Sequence, residues 1–441
     1  MRVLFTTYPE RTHFLLMVPL AWALRTAGHE VRFASQPKFA DTITQAGLTA
    51  VPVGSNRDLW QILSRDPNWL GPPERGGMPM PYDVTGRDPE DISWEYLSEG
   101  FTRQVRRWHM ASNLPMVGDL VAFAQEWKPD LVIWDPLTYA GSVAAKACGA
   151  AHARLLFGTD MYGVTRDHFL RLASEQPEED RVDPMREWLE GHAVKYGATF
   201  DETMITGQVT IDLVPACLQQ RARRTYLPLR YVPYGGPATV PDWLRTKPAR
   251  PRVALTLGLS TTGHGGEYAA GVQDILDGLA DLDIEVVATI AESEQTKLTR
   301  IPDNARVVSF APLDALAATC DAVIHHAGYG TLATAALRGL PHLMLPWDND
   351  GPALAEAVGA TGAGLVLNPK ETTGEAVRDA VLRLLSEPGF RKGAEALRDT
   401  LLEMPTPNQL VPELEQFVAA QQKAQPQPHT QPQPQTQKTG E

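Results

Sequence analysis

Two histidines followed by a glycine-rich turn form the stretch of this sequence with the clearest chemical potential. An apolar run, Ala-Val-Ile, ends in His325 and His326, and Ala-Gly-Tyr-Gly-Thr follows with Gly328, Gly330 and Thr331. Small residues let a ligand approach the backbone closely, and free N–H groups at a helix start bind phosphate through neutral donors. The pattern predicts a strand, a phosphate-binding turn and a helix that opens at about Thr331. His326 could donate to a phosphate oxygen, and His325 either shares that role or only ends the strand.

The same turn also fits a dinucleotide fingerprint. Gly328, Gly330 and Ala333 have the spacing G-x-G-x-x-A, and Asp348 lies twenty residues beyond Gly328. That spacing alone would indicate a nicotinamide-dependent oxidoreductase. The position of the turn, deep in the second half of the chain and behind two imidazoles, argues against this alternative.

A second loop with phosphate-binding chemistry follows an earlier apolar run. Thr256, Gly258 and Ser260 lie where a strand of an α/β sheet would reach its carboxyl end, which is where such sheets bind ligands. An ordinary loop of glycine, serine and threonine explains the composition equally well.

Short polar side chains cluster between another strand and a helix. Asp348 and Asn349 offer carboxylate and amide groups that suit sugar hydroxyls. Asp348 with Asp350 could bind a hard cation. We expect instead that Asp350 caps the helix ahead of Pro352, and we expect no metal site.

His13 is the candidate general base of the first half of the chain. It follows Thr12, the predicted N-cap, in the loop between the first strand and the first helix. A neutral histidine deprotonates a hydroxyl near pH 7 when a carboxylate stabilises the imidazolium. Asp135, at the end of the strand Leu-Val-Ile-Trp, is the expected carboxylate or is itself a base. Asp119 is a rival for this role, and His13 could also be an ordinary helix-start residue.

These candidates require sheets whose strands alternate with helices. Apolar runs and helical patterns alternate along most of the chain, which predicts parallel pairing in doubly wound α/β sheets. A Pro- and Gly-rich stretch without periodicity interrupts the alternation at 233–251. We therefore predict a first domain at 1–232, an interdomain linker at 233–251 and a second domain at 252–420. The Gln/Pro-rich segment 421–441 is predicted to be disordered.

Two further features shape the first domain. Strands are expected near 210–214 and 230–232, where they close the domain. An insertion at 54–115 and helices at 160–200 are expected to enclose an apolar pocket. The aromatic residues that could line it are Trp60, Trp69, Trp94, Phe101 and Trp108.

Composition excludes several classes of protein. The chain has 441 residues and a formal net charge of −13, which disfavours binding to nucleic acid or to an anionic membrane. The cysteines at 148, 217 and 320 are too widely spaced for a disulfide framework or a zinc site. No stretch has the roughly 20 apolar residues of a membrane span, so we expect a soluble, cytoplasmic protein.

Taken together, these motifs resemble those of the family 1 glycosyltransferases with the GT-B fold. The narrower resemblance is to bacterial enzymes that attach deoxysugars to polyketide antibiotics such as macrolides and anthracyclines. It covers residues 1–420. The segments that carry it are Met1-Arg-Val-Leu-Phe, Thr12-His13, Val18-Pro-Leu-Ala-Trp-Ala-Leu-Arg-Thr-Ala-Gly-His-Glu-Val, Asp130-Leu-Val-Ile-Trp-Asp-Pro-Leu-Thr, His152-Ala-Arg-Leu-Leu, Leu255-Thr-Leu-Gly and His325-His-Ala-Gly-Tyr-Gly-Thr.

The resemblance implies a fold of two Rossmann-like domains that face each other across a cleft. It also implies inverting transfer of a deoxy or aminodeoxy sugar from a dTDP-sugar, a co-substrate, to a hydroxyl of a polyketide-type aglycone. His13 matches the family's catalytic base, and Asp348 with Asn349 matches the family's Asp-Gln pair, which grips the sugar. The positions that match the donor-diphosphate motif and the donor loop are His326, Gly328, Gly330 and Thr331, and Thr256, Gly258 and Ser260.

Cofactor and partner expectations follow from the same resemblance. No cofactor is expected beyond the dTDP-sugar. Many antibiotic-pathway members of the family resemble one another in needing a haem-free cytochrome-like auxiliary protein, so such a partner is possible here. A homodimer is also possible. Two alternatives remain: a nucleotide-sugar 2-epimerase of the same architecture, and a donor-binding partner that activates another transferase.

Overall fold

The computed structural model describes most of the chain. The described residues are 1–57, 59–60, 65, 76–246, 248–258 and 268–424. Two predicted site or pocket residues, Ser260 and Trp69, lie outside them, as does the predicted tail from residue 425 onward.

A seven-stranded parallel sheet forms the centre of the first domain, with the strand order β3-β2-β1-β4-β5-β6-β7. Parallel neighbours require crossover connections, and helices provide most of them here. The strands are β1 (Arg2–Thr6), β2 (Glu30–Ser35), β3 (Ala50–Pro52), β4 (Leu131–Trp134), β5 (Ala151–Leu155), β6 (Val209–Asp212) and β7 (Tyr226–Pro228). The helices are α1 (Arg11–Thr26), α2 (Ala40–Gln45), α3 (Trp94–Gln104), α4 (Met110–Trp127), α5 (Ala140–Cys148), α6 (Met161–Ser174), α7 (Pro184–Lys195) and α8 (Thr203–Thr206).

The second domain repeats this plan with a six-stranded parallel sheet in the order β10-β9-β8-β11-β12-β13. Its strands are β8 (Arg252–Thr256), β9 (Glu285–Thr289), β10 (Ala305–Val308), β11 (Ala322–His325), β12 (His342–Met344) and β13 (Gly364–Val366). Its helices are α9 (Val272–Gly278), α10 (Glu292–Gln295), α11 (Leu313–Ala317), α12 (Tyr329–Ala336), α13 (Gly351–Ala360), α14 (Gly374–Ser386), α15 (Pro388–Glu403) and α16 (Pro407–Ala424).

Burial explains why the central strands are apolar throughout. Helices cover both faces of each sheet, so every residue of β4 and of β8 is buried. In both sheets the first strand, β1 or β8, pairs on one side with the strand that follows it and on the other with β4 or β11. The carboxyl ends of these neighbouring strands converge on one edge of each sheet, and ligands bind at such an edge in α/β folds.

The predicted strand at 230–232 is wrong, because the strand ends at Pro228. The backbone N–H of Arg230 donates instead to the carbonyl of Pro405 at 2.7 Å, and the hydroxyl of Tyr231 lies 3.0 Å from Oγ1 of Thr334. This segment is bound to the second domain and is not available to extend the sheet.

The last helix, α16, returns to the first domain. Leu414 and Val418 are buried in the core that α1 shares, and Nε2 of His29 lies 3.0 Å from Oε1 of Glu415. The helix continues to Ala424, so residues 421–424, predicted to be disordered, are helical. Across the ranges that the structure describes, no helix combines the length and apolarity needed to cross a bilayer.

Candidate active site

His13 lies in the first turn of α1 and not in the loop before it, as the sequence had predicted. The helix begins at Arg11, and its N-cap is Glu10 where Thr12 was expected. The Glu10 carboxylate accepts hydrogen bonds from the backbone N–H of Thr12 at 3.1 Å and from its hydroxyl at 2.8 Å. This cap starts the helix early enough to place His13 on its buried side, where only 8% of the residue is exposed.

The imidazole of His13 faces the carboxylate of Asp135, which directly follows β4. Nδ1 of His13 lies 3.5 Å from Oδ1 of Asp135, and the Asp135 side chain is almost fully buried. Oδ1 also accepts a hydrogen bond from the backbone N–H of Leu137 at 2.9 Å. The rival carboxylate, Asp119, is engaged elsewhere, where it accepts from the N–H of Gly54. The structure therefore pairs His13 with Asp135.

Two aromatic rings fix the plane of the imidazole. The ring of Phe157 stacks on it with centroids 3.6 Å apart, and the ring of Tyr8 meets it edge-on at 5.4 Å. With Nδ1 turned toward Asp135, Nε2 is the nitrogen left to meet a hydroxyl. This arrangement suits proton abstraction near neutral pH.

His326 is the centre of the turn that follows β11. Its ring lies between two glycines that have no room for a side chain. A Cβ on Gly258, where φ is +84°, would lie 2.7 Å from Cε1 of His326, and a Cβ on Gly328 would lie 2.4 Å from its Nε2. Both glycines are needed for the ring to occupy this place. The two predicted loops thus converge on one imidazole.

The electrostatics of His326 favour the neutral imidazole. Burial lowers its pKa, and the backbone of Thr256 and the charge of Asp348 offset part of that effect. Nδ1 is buried and has no hydrogen-bond partner among the described residues. A neutral imidazole can donate one hydrogen bond to an anion without adding charge.

His325, predicted to bind the donor, is held inside the sheet. Its Nδ1 accepts from the backbone N–H of Ala327 at 3.1 Å, so its Nε2 carries the proton and donates to Nδ1 of His342 at 2.9 Å. Burial lowers the pKa of His325 well below its usual value. The structure does not bring this residue to the site, because adjacent strand residues point to opposite faces.

The strand β8 and the helix α12 position the other predicted residues of the two loops near His326. Thr256, the last residue of β8, pairs with His325 in the sheet register. Gly328 is the N-cap of α12 and offers no side chain to cap it, so the N–H groups of Tyr329, Gly330 and Thr331 begin the helix uncapped. Such uncapped N–H groups could act as the neutral donors expected from the sequence.

Asp348 and Asn349 are exposed in the loop after β12. Asp348 lines a pocket beside His326, whereas Asn349 adopts φ = +53°. The other residues that line this pocket are Leu257, Tyr268, Ala269, Ala270, Leu345 and Trp347.

The Asp350 side chain crosses to the first domain. Oδ2 accepts from the N–H of Thr159 at 2.7 Å and lies 3.2 Å from its hydroxyl. Asp350 occupies the predicted N-cap position of α13, but its side chain makes no capping bond to that helix. Burial raises the pKa of Asp350, and the hydrogen bonds from Thr159 partly oppose that shift. The carboxylate thus links the turn of the second domain to the His13 side of the cleft.

The insertion of the first domain also meets the second domain. The N–H of Gly77 donates to the carbonyl of Trp347 at 2.6 Å, next to the pocket that Asp348 lines. Of the aromatic residues expected to line an acceptor pocket, Phe101 is buried in the core and Trp94 packs on Phe169. Trp60 packs on Trp108 and lines a small pocket beside Tyr8.

Sequence reasoning missed the residues that surround His13 and Asp135. Phe157 and Thr159 lie in the loop after β5, and Thr138 lies in the loop after β4. Their place just beyond a strand end was the available signal, and it applies to Asp350 as well. No three His, Cys, Asp or Glu side chains gather as a metal-binding group in the ranges that the structure describes.

Two family models together match most of the chain. Residues 22–258 match the family model described as erythromycin biosynthesis protein CIII-like, N-terminal domain, and residues 273–417 match the corresponding C-terminal domain. The 10-deoxymethynolide desosaminyltransferase of Streptomyces venezuelae is 46% identical, over 95% of this chain and 97% of that protein. The aclacinomycin-T 2-deoxy-L-fucose transferase of Streptomyces galilaeus is 43% identical, over 95% and 96%.

A solved structure is also similar over nearly the whole chain. The crystal structure of the glycosyltransferase VinC in complex with dTDP has a TM-score of 0.84 and 39% identity, covering 95% of this chain and all of that one. The predicted family and the predicted two-domain GT-B fold are confirmed. The chain belongs to the erythromycin biosynthesis protein CIII-like family of GT-B glycosyltransferases, which act in macrolide and anthracycline antibiotic biosynthesis.

Proposed function

We propose that this protein transfers a deoxy or aminodeoxy sugar from a dTDP-sugar to a hydroxyl of a polyketide-type aglycone, with inversion at the anomeric carbon. The observation that carries the proposal is the His13–Asp135 pair on one side of the cleft with the His326 turn on the other. One supplies acid–base chemistry and the other supplies neutral donors for an anion.

The base step belongs to His13. Its Nε2 accepts the proton of the acceptor hydroxyl as the oxygen attacks the anomeric carbon, and the bond from that carbon to the diphosphate breaks. Asp135 stabilises the imidazolium that forms. A single displacement from the face opposite the leaving group inverts the configuration. The imidazolium of His13 then releases its proton to the solvent.

The second domain binds the donor without excess positive charge. The uncapped start of α12 and His326 donate to the diphosphate, and Asp348 with Asn349 offers acceptors for sugar hydroxyls. We propose that no metal ion takes part. Addition of a chelator should then leave the rate of transfer unchanged.

Related proteins support the substrate classes. Two relatives are named as transferases of desosamine and of 2-deoxy-L-fucose, both deoxysugars, and VinC was crystallised with dTDP. We propose that the reaction takes place in the cytoplasm.

The test is an assay of the purified protein with a panel of dTDP-sugars and polyketide aglycones, with and without a haem-free cytochrome-like auxiliary protein. We expect transfer and a product whose anomeric configuration, read by NMR, is opposite to that of the donor. Retention would contradict the mechanism. Conversion of the donor alone into its C2 epimer would indicate the 2-epimerase.

The same assay addresses the partner proteins. Donor binding without any transfer, together with activation of a second transferase, would indicate the donor-binding partner instead. An auxiliary protein that raises turnover would support the dependence that the family resemblance implies. Sedimentation in the same buffer would distinguish a monomer from the expected homodimer.

A further inference from the structure

We propose that Thr138 is a positioning residue for this transfer, which holds Asp135 in the orientation that faces His13. The proposal rests on the proposed function, because it assigns Asp135 the role of partner to the base. Thr138 follows β4 by four residues and is 1% exposed, so it cannot touch a substrate.

The hydroxyl of Thr138 makes two hydrogen bonds whose directions are fixed. Oγ1 donates its single proton to Oδ2 of Asp135 at 2.6 Å, and it accepts from the backbone N–H of Tyr8 at 2.9 Å. A backbone N–H can only donate and an ionised carboxylate can only accept, so no other assignment satisfies both partners. The hydroxyl therefore bridges the loop after β4 and the loop after β1.

This bridge determines which carboxylate oxygen meets the imidazole. Oδ2 is bound to Thr138, which leaves Oδ1, already held by the N–H of Leu137, at 3.5 Å from Nδ1 of His13. Without the hydroxyl, Oδ2 of Asp135 loses its donor, and the carboxylate can rotate about χ2.

The same hydroxyl also steadies the other side of the base. Tyr8, whose N–H donates to Thr138, places its ring edge against the imidazole at 5.4 Å. The ionisable groups around this cluster include the phenols of Tyr8, Tyr139 and Tyr162, the carboxylate of Glu10 and, from the second domain, the carboxylate of Asp350. None of them replaces the hydrogen bond to Oδ2 of Asp135.

The test compares Thr138→Val, which keeps the shape and loses the hydroxyl, with Thr138→Ser, which keeps the hydroxyl. We expect Val to lower kcat about 10- to 100-fold with little change in KM for the dTDP-sugar. We expect Ser to restore most of kcat. With Asp135 less well placed, the imidazolium is less stable, so the acidic limb of the kcat/KM profile should move to lower pH in the Val variant.

Repeating the Thr138→Val substitution in an Asp135→Asn variant distinguishes a positioning role from general structural damage. In the Asp135→Asn variant, Thr138→Val should have a much smaller effect on kcat, because the carboxylate through which Thr138 acts is already gone. An unchanged kcat in Thr138→Val, an equal loss in Ser and Val, or the same fold loss in the Asp135→Asn background would each overturn the proposal. If Val does not fold, judged by thermal unfolding and dTDP binding, Ser against Ala is compared in the same way.

Failure of the proposed function has a different signature. If wild-type protein shows no transfer, or if His13→Ala keeps full turnover, the base assignment itself fails. A normal His13 dependence with no effect of Thr138 would overturn only the present inference.

Discussion

Each domain places the carboxyl edge of a parallel sheet at the cleft, but the two edges carry different groups. At the first edge, β4 is followed by Asp135, a buried carboxylate with a hydrogen bond to each oxygen and an imidazole beside it. At the second edge, β11 ends beside His326, an imidazole between two glycines whose buried Nδ1 has no partner among the described residues.

The difference shows how one fold supports both halves of a transfer. A carboxylate at the first edge stabilises the positive charge that forms on a base, whereas the turn at the second edge offers neutral donors to a diphosphate. The second edge uses small residues and uncapped N–H groups instead. A chain with a net charge of −13 can therefore bind an anionic donor locally.

Crowding the second edge should have the largest effect on donor binding. A Cβ at Gly328 would lie 2.4 Å from Nε2 of His326, so Gly328→Ala must displace the ring or the turn. We expect dTDP affinity, measured by calorimetry, to fall on the order of 10²-fold, about 2.7 kcal/mol. Gly389→Ala, in α15 of the same domain, is the control, because a Cβ there would meet nothing within 4 Å. Equal losses in both variants would contradict the importance of His326's position.

Removing the Asp350–Thr159 hydrogen bonds that link the two edges should have an intermediate effect, on stability. Asp350→Ala leaves the buried N–H of Thr159 without its acceptor, which should lower the free energy of unfolding by about 1.5–3 kcal/mol. Thr159→Val removes only the longer of the two bonds, at 3.2 Å, and should cost less. Urea unfolding measures both variants. A larger loss in Thr159→Val would show that the link is not the source of the stability.

A second carboxylate on the first edge should have the smallest effect. Asp212 ends β6, and its Oδ2 has no partner among the described residues; burial raises its pKa to about 7. A raised carboxyl pKa favours the folded protein at low pH, and that contribution is lost as pH rises through 7. Stability should therefore fall by about 1 kcal/mol between pH 6 and 8, measured by urea unfolding.

Asp212→Asn is the control for this pH dependence. The amide cannot ionise, so the variant should lose the fall in stability between pH 6 and 8. An identical pH profile in the variant would rule out Asp212 as its cause.

Much of this arrangement could be predicted from the sequence. The alternation of apolar runs and helices gave both sheets, and the position of His13 and Asp135 near strand ends placed them at one edge. The glycines around His326 were recognised by composition alone, since only small residues allow a close approach. Local patterns determine these features.

Long-range contacts explain the remainder. His325 and His326 are adjacent and chemically identical, and only the pairing with His342 on the next strand shows which one is structural. Asp350 has the sequence features of a helix cap, yet Thr159, 191 residues away, takes its carboxylate. No local pattern encodes such partners.

The central claim is that the two edges divide the work, and crossed substitutions test it most directly. Measurement of kcat and dTDP affinity in His13→Ala and His326→Ala should give opposite outcomes. We predict a loss of kcat of about 10²–10⁴-fold with unchanged affinity for His13→Ala, and dTDP affinity weakened about tenfold for His326→Ala. Full turnover in His13→Ala, or unchanged affinity in His326→Ala, would contradict the account.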